Sequence, residues 1–115
     1  MNEFQLNYAN ADIVIVDDTL PNLQVLADML GERSYEVRGA PDGHTALMII
    51  RAQPPDLILL DIQMPGMDGY EVCEQLKADE FTCGIPVIFI SALDDVFDKV
   101  RGFEVGGVDY ITKPF

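Results

Sequence analysis

Acidic residues follow two of the most hydrophobic runs of the chain. Asp17 and Asp18 come directly after Ile-Val-Ile-Val at 13–16, and Asp61 comes directly after Leu-Ile-Leu-Leu at 57–60. Continuous aliphatic runs of this length are typical of strands in a parallel sheet that is covered on both faces. The carboxylates that end these runs are therefore candidates for binding or catalysis.

Two further strand-like runs are followed by groups that complement carboxylates. Ser91 follows Val-Ile-Phe-Ile at 87–90, and Lys113 comes shortly after Val-Asp-Tyr-Ile at 108–111. In an open parallel sheet, ligands bind outside the carboxyl ends of the strands, near the point where the strand order reverses. With a strand order of 2-1-3-4-5, the pattern predicts one pocket that contains three carboxylates, a hydroxyl and an ammonium.

The three carboxylates favour a divalent cation, because like charges raise one another's pKa and a cation relieves the repulsion. Oxygen ligands with no histidine or cysteine beside them suit a hard ion, and a few carboxylates plus water suit Mg²⁺ better than Ca²⁺. The calcium-loop pattern D-x-[DN]-x-[DN]-G is also absent from the sequence. The alternative for single residues is structural: Asp17 or Asp18 caps the helix that follows, and Asp61 opens a turn.

A pocket of this composition suits phosphoryl transfer, which requires an in-line nucleophile and fixed positive charge around the phosphoryl oxygens. Asp61 is the candidate nucleophile and would form an aspartyl phosphate. One phosphoryl oxygen would be held by Mg²⁺ and a second by Lys113. The third would be held by the Ser91 hydroxyl together with the Ala92 backbone N–H.

Segments with helical spacing separate the strand-like runs, among which those at 35–38 and 108–111 are the weakest. Pro21 and Gly31 mark the beginning and the end of the first helix. Apolar residues at helical spacing predict a core-facing side for each of four helices: Leu23, Leu26, Ala27 and Leu30; Ala46, Leu47 and Ile50; Tyr70, Cys73 and Leu76; and Val96, Val100 and Phe103.

Alternation of five strands with four helices predicts an α/β fold, a doubly wound five-stranded parallel sheet of order 2-1-3-4-5 that is flavodoxin-like. The predicted domain covers 12–115 and follows a polar leader at 1–11. A helix normally covers the last strand of such a sheet. Because that helix is missing from the sequence, either the chain was cut from a longer protein after the fifth strand or a partner covers the exposed flank, and we favour the truncation.

Composition excludes several kinds of partner. Twenty acidic residues against seven basic ones give a formal net charge of −13, which disfavours direct binding to nucleic acid or an anionic membrane. No apolar run approaches the roughly 20 residues of a membrane-spanning helix, and residues 1–11 show neither the basic start nor the apolar core that a signal peptide needs. The sequence predicts a cytoplasmic domain in which Cys73 and Cys83 are reduced thiols. The lone histidine, His44, is expected to be solvated or to cap a helix.

Four motifs together resemble the receiver domain of bacterial two-component response regulators. They are Val-Asp-Asp at 16–18, LLDIQMPGMDGYE at 59–71, PVIFISA at 86–92 and DYITKPF at 109–115. Their order and mutual spacing make the resemblance specific, and it extends over almost the whole chain. It implies that Asp61 is the phosphoacceptor of a phosphorelay. It also implies a regulatory domain that catalyses only its own Mg²⁺-dependent phosphorylation and dephosphorylation.

The resemblance also implies roles for the neighbouring residues. Asp17, Asp18 and Asp61 would hold Mg²⁺ together with the backbone carbonyl of Gln63.

Ser91 and the Ala92 backbone N–H would contact the phosphoryl group, and Lys113 would pair with it. Tyr110 would be an aromatic switch residue that turns inward as Ser91 moves to the phosphate. A cis peptide bond between Lys113 and Pro114 would aim the lysine into the pocket.

The implied partners are a sensor histidine kinase or a histidine phosphotransfer protein, and an output domain or downstream protein. A homodimer is also possible within such a family. A phosphorylation-independent, receiver-like interaction module is the main alternative. A dehalogenase-type phosphatase is disfavoured because Gln63 stands where that class has its second acid. A flavin- or nucleotide-binding module is disfavoured because no glycine-rich phosphate loop is present.

Overall fold

The computed structural model describes residues 10–91 and 99–113, in which strands and helices alternate along the chain. The strands are β1 (Asp12–Val16), β2 (Glu36–Ala40), β3 (Leu57–Asp61), β4 (Val87–Ser91) and β5 (Asp109–Thr112). The helices are α1 (Leu20–Gly31), α2 (Gly43–Ala52), α3 (Gly69–Ala78) and α4 (Lys99–Glu104). None of these helices combines the length and the hydropathy needed to cross a membrane.

The five strands form one parallel sheet in the order β2-β1-β3-β4-β5. This order confirms the predicted doubly wound, flavodoxin-like fold. The chain moves outward from β1 in both directions, so the strand order reverses between β1 and β3. The register pairs Val16 with Leu60 across these two strands. The residues that follow, Asp17 and Asp61, therefore emerge side by side at the carboxyl edge of the sheet.

The three strongest strand predictions are confirmed, whereas the two edge strands are shifted along the sequence. The predicted strand at 35–38 is found at Glu36–Ala40, because the Tyr35 N–H donates to the Leu30 carbonyl and closes the turn after α1. The predicted strand at 108–111 is found at Asp109–Thr112, where its last residue pairs with Ser91. Backbone pairing with the neighbouring strand determines these limits.

Two apolar clusters fill the two faces of the sheet. The larger cluster packs α2 and α3 against one face, and its central residues are Val14, Val16, Ile58, Leu60, Val87 and Phe89. The smaller cluster packs α1 through Leu26 against Ile13, Ile15, Leu59 and Ile90 on the other face. The predicted core-facing sides of the first three helices are confirmed, since their apolar residues are buried or half-buried in these clusters.

The predicted core-facing side of the fourth helix is wrong. Val100 and Phe103 are 66% and 53% exposed, and Val96 lies outside the described residues. Within 100–104 of α4, the part whose exposure is described, Gly102 is the buried residue, and its carbonyl accepts a hydrogen bond from the Gly107 N–H. A side chain at Gly107 would collide with the Phe89 ring of β4. Glycine at 107 thus allows the chain after α4 to pack closely against β4. The larger apolar side chains of α4 are exposed.

The predicted leader at 1–11 lies mostly outside the described residues, so the domain limits stay a prediction. The Lys113–Pro114 bond also lies partly outside them, because Pro114 is not described.

Close packing between β3 and α3 controls where the end of β3 lies. The Gly69 N–H donates to the Ile62 carbonyl at 2.8 Å. A Cβ atom at Gly69 would collide with the Asp61 carbonyl oxygen and would lie 2.8 Å from the Ile62 Cα. Both contacts are with backbone atoms, which cannot rotate away.

We expect Gly69→Ala to lower the free energy of unfolding by about 2 kcal/mol, because the helix start must move away from the backbone of β3. Gly31→Ala is the matched control, since a Cβ there meets no atom within 4 Å and alanine favours the helix. Urea denaturation of both variants measures the difference. Equal stabilities would contradict the close packing at Gly69.

Candidate functional site

The ends of β1 and β3 bring three carboxylates together. Carboxylate oxygens of Asp17, Asp18 and Asp61 all lie within 4.8 Å of one another. Asp17 and Asp61 are buried, whereas Asp18 is exposed and borders the solvent. The parallel register of the two strands produces this cluster, because it aligns the residues that follow Val16 and Leu60.

Lys113 brings a positive charge into the acidic cluster. Its Nζ lies 3.1 Å from Asp17 Oδ2 and 3.5 Å from Asp61 Oδ2. The backbone holds this lysine in place, because the Lys113 N–H donates to the Ser91 carbonyl at 2.7 Å, directly after β5. The sequence prediction that Lys113 joins the acidic pocket agrees with this geometry.

Burial, neighbouring carboxylates and the Lys113 ammonium together determine the pKa values of the cluster. Burial, followed by the charge of Asp17, raises the pKa of Asp61 to about 7, although the Lys113 ammonium opposes the shift. Burial disfavours the charge of Lys113, but close contact with Asp17 and Asp61 outweighs it, so the pKa of the lysine is raised. With these pKa values and no bound cation, protonated and ionised Asp61 coexist near neutral pH while Lys113 stays charged.

One oxygen of the cluster is buried without a hydrogen bond. Among buried side-chain nitrogen and oxygen atoms of the described chain, only Asp17 Oδ2 makes none. Lys113 Nζ lies 3.1 Å from it, at the distance of an ion pair. A buried anionic oxygen beside two more carboxylates is a good ligand for a hard cation. The donor set therefore fits a divalent ion such as Mg²⁺.

The remaining predicted site residues lie near the carboxyl edge or outside the described ranges. Ser91 is buried at the end of β4, and Tyr110 is half-buried in β5. Gln63 is exposed in the loop two residues beyond Asp61. Ala92 and Pro114 are not among the described residues. Their predicted contributions, a backbone N–H and a cis peptide bond, therefore stay predictions.

Two residues of the site were missed by sequence reasoning. Thr19 and Asn22 surround the other oxygen of Asp17: Oδ1 accepts from the Thr19 N–H and hydroxyl, both at 2.9 Å, and from Asn22 Nδ2 at 3.5 Å. The residue at the N-cap position of α1 is Thr19, not either aspartate. The sequence does place polar residues two and five positions after Asp17. Helical periodicity, however, gives no indication that they contact the Asp17 carboxylate.

A cavity of about 460 Å³ lies along the loop that follows β3. Its lining residues are Ile62, Gln63, Met64, Pro65, Asp68 and Tyr70. Asp68 also caps α3, because its side chain accepts a hydrogen bond from the Glu71 N–H. The loop thus leaves open space next to the end of β3.

His44 is exposed near the start of α2, as predicted for a solvated residue.

Known protein sequences resemble this one over nearly the whole chain. The family described as "Response regulator receiver domain" matches residues 13–115. The response regulator PleD of Caulobacter vibrioides is 48% identical over 105 residues, which cover 91% of this chain and 23% of PleD. The probable transcriptional regulator ycf27 of Cyanophora paradoxa is 42% identical over 103 residues, covering 90% of this chain and 42% of that protein. The chain thus spans less than half the length of these relatives.

Solved structures share the fold. A putative response regulator from Chloroflexus aurantiacus has a TM-score of 0.86 at 36% identity, with 91% of this chain and 86% of that chain covered. The chemotaxis protein CheY4 of Vibrio cholerae has a TM-score of 0.86 at 29% identity, with 93% and 89% covered.

The raised pKa of Asp61 predicts a pH-dependent cost of folding in the absence of divalent cations. The ordinary pKa of an aspartate side chain is 3.8. Between pH 3.8 and about 7, Asp61 therefore ionises in the unfolded chain but stays largely protonated in the folded one. This cost is absent below pH 3.8 and complete above pH 7. We expect Asp61→Asn in EDTA to raise the free energy of unfolding by about 2 kcal/mol at pH 8 and by much less at pH 4.

Urea denaturation at several pH values measures this difference. Glu74→Gln, which neutralises an exposed acid on α3, is the control and should give no comparable gain. A gain for Asp61→Asn that is the same at pH 4 and pH 8 would contradict the raised pKa.

Proposed function

Because this chain belongs to the response regulator receiver domain family, we propose that it is the phosphoacceptor of a two-component phosphorelay, with Asp61 as the residue that is phosphorylated. The phosphoryl donor would be a sensor histidine kinase or a histidine phosphotransfer protein. The observation that carries the proposal is the position of Asp61, which lies buried at the end of β3 beside Asp17 and 3.5 Å from the Lys113 ammonium. Members of the family are regulatory domains, and the proposed chemistry is limited to the chain's own phosphorylation and dephosphorylation.

Asp61 would act as the nucleophile. A carboxylate oxygen would form a bond to phosphorus while the bond between phosphorus and the donor histidine nitrogen breaks, which leaves an acyl phosphate on Asp61. The attacking group must be ionised. Burial works against ionisation by raising the pKa of Asp61, and the Lys113 ammonium favours it.

Asp17, Asp18 and Asp61 would hold Mg²⁺ together with the backbone carbonyl of Gln63. The bound ion would lower the repulsion among the carboxylates and neutralise charge on the phosphoryl oxygens. Oδ2 of buried Asp17, which accepts no hydrogen bond although Lys113 Nζ lies 3.1 Å away, supports this assignment.

Ser91 and Lys113 would bind the phosphoryl oxygens, together with the Ala92 backbone N–H. The hydrogen bond from the Lys113 N–H to the Ser91 carbonyl supports a shared role, because it joins the two residues at the ends of neighbouring strands. A new phosphoryl group adds charge and acceptor atoms that favour one arrangement of these groups. Tyr110, half-buried in β5, would turn inward as Ser91 moves toward the phosphate.

The surface formed by α4 and β5 would transmit the switch to a partner. Val100, Phe103 and Val108 are more than half exposed there, and Ile111 is partly exposed. Exposed apolar groups of this kind suit contact with an output domain, a downstream protein or a second copy of the chain. The net charge of −13 disfavours direct binding of nucleic acid. The free thiols of Cys73 and Cys83 are consistent with a cytoplasmic location.

Mg²⁺ should stabilise the folded chain, because an ion that binds only the folded state raises the free energy of unfolding. We expect 10 mM Mg²⁺ to raise the thermal midpoint of the parent and of the exposed-acid control Glu74→Gln. Asp17→Asn should show little or no increase. Differential scanning calorimetry measures all three, and an equal response of Asp17→Asn would remove Asp17 from the ion site.

Phosphorylation should add one phosphoryl group to Asp61. We expect intact-protein mass spectrometry to show a single adduct after incubation with Mg²⁺ and acetyl phosphate. The adduct should be absent from Asp61→Asn and from samples in EDTA. Glu74→Gln is the matched control and should be labelled like the parent. A folded parent without an adduct would favour the alternative, a phosphorylation-independent interaction module.

A further inference from the structure

The two oxygens of the Asp17 carboxylate lie in different environments. Oδ1 accepts hydrogen bonds from the Thr19 N–H and hydroxyl and lies 3.5 Å from Asn22 Nδ2. Oδ2 accepts none and lies 3.1 Å from Lys113 Nζ, which in turn lies 3.5 Å from Asp61 Oδ2. The carboxylate is therefore anchored through one oxygen and presents the other to the acidic cluster.

The Thr19 hydroxyl donates a hydrogen bond to Asp17 and does not cap the helix that Thr19 precedes. Threonine at an N-cap position normally accepts a hydrogen bond from a backbone N–H in the first turn. Asp42 and Asp68 do this for α2 and α3, at Thr45 and Glu71, respectively. Thr19 makes no such bond.

Pro21 contributes to this difference. It lies in the first turn of α1 and has no N–H, so one of the usual donors to a capping side chain is missing. The Thr19 hydroxyl instead donates to Asp17 Oδ1 at 2.9 Å.

We propose that Thr19, assisted by Asn22, is a positioning residue that fixes the Asp17 carboxylate so that Oδ2 is directed at the cation site. The inference rests on the proposed Mg²⁺ site and extends it to residues that bind no metal themselves. Groups that hydrogen-bond to a metal ligand orient it, and their removal typically weakens metal binding about 10- to 100-fold.

Lys113 explains why anchoring matters. Its Nζ lies 3.1 Å from Asp17 Oδ2, so ammonium and cation compete for the same oxygen. A carboxylate released from Thr19 turns and offers both oxygens to the lysine. The anchored carboxylate has Oδ1 engaged, and a cation shared with Asp18 and Asp61 displaces the ammonium from Oδ2 more easily.

Thr19→Val and Thr19→Ser form a matched pair that tests the role of the hydroxyl. Valine has nearly the same shape as threonine but cannot donate, and serine keeps the donor. Thr19 is exposed, so neither change disturbs the core. We expect isothermal titration calorimetry with MgCl₂ to show a dissociation constant about tenfold higher for Thr19→Val than for the parent. Thr19→Ser should bind with nearly the parent affinity.

A second variant and a second measurement separate positioning from folding. Asn22→Ala should weaken Mg²⁺ binding less than Thr19→Val, because its amide lies farther from Oδ1 at 3.5 Å. The thermal midpoint in EDTA should be similar for the parent, Thr19→Val and Thr19→Ser. A purely structural role would lower that midpoint for Thr19→Val and leave the dissociation constant unchanged.

The outcomes for this inference and for the proposed function are distinct. Mg²⁺ binding by the parent with equal affinity for Thr19→Val overturns the positioning role alone. Absence of Mg²⁺ binding by the folded parent overturns the proposed ion site and the positioning role together. Weakened binding in Thr19→Val with recovery in Thr19→Ser supports both.

Discussion

Crowding of negative charge at the edge between β1 and β3 is the constraint on which the rest of the site depends. The pairing of Val16 with Leu60 forces Asp17 and Asp61 to emerge together in a buried place. Two buried carboxylates at this separation require nearby positive charge. Lys113 supplies part of it, and the solvent-exposed Asp18 completes a set of oxygens suited to a cation. The same features that make the site costly to fold bring together the oxygen ligands that a divalent cation prefers.

The sheet could be predicted from the sequence because its central strands are unambiguous. Their aliphatic runs are continuous, and short polar segments separate them from the helices. The limits of the edge strands could not be predicted, since hydrogen bonds to neighbouring strands determine them. The orientation of α4 was predicted wrongly because helical periodicity assumes that the larger apolar residues face inward. Here Gly107 lies against Phe89, and the outward side carries Val100 and Phe103.

The residues of the candidate site could also be predicted from the sequence, but the orientation of their side chains could not. Ligands of an open parallel sheet bind at the carboxyl ends of its strands, and this rule alone predicts that Asp17, Asp61 and Lys113 lie close together. The prediction requires no measured distance. Which oxygen of Asp17 is engaged depends on χ angles and on the hydroxyl of Thr19, a residue with no distinctive sequence pattern. Motifs point to candidate site residues, whereas neighbouring side chains such as Thr19 that contact them are recognised only from the structure.

The hydrogen bond between the Lys113 N–H and the Ser91 carbonyl has an evolutionary consequence. It sets the spacing of these two residues through the register of β4 and β5 and not through the segment that connects the strands. Insertions, deletions or substitutions between the strands can therefore accumulate without changing the relative position of the Ser91 and Lys113 backbones.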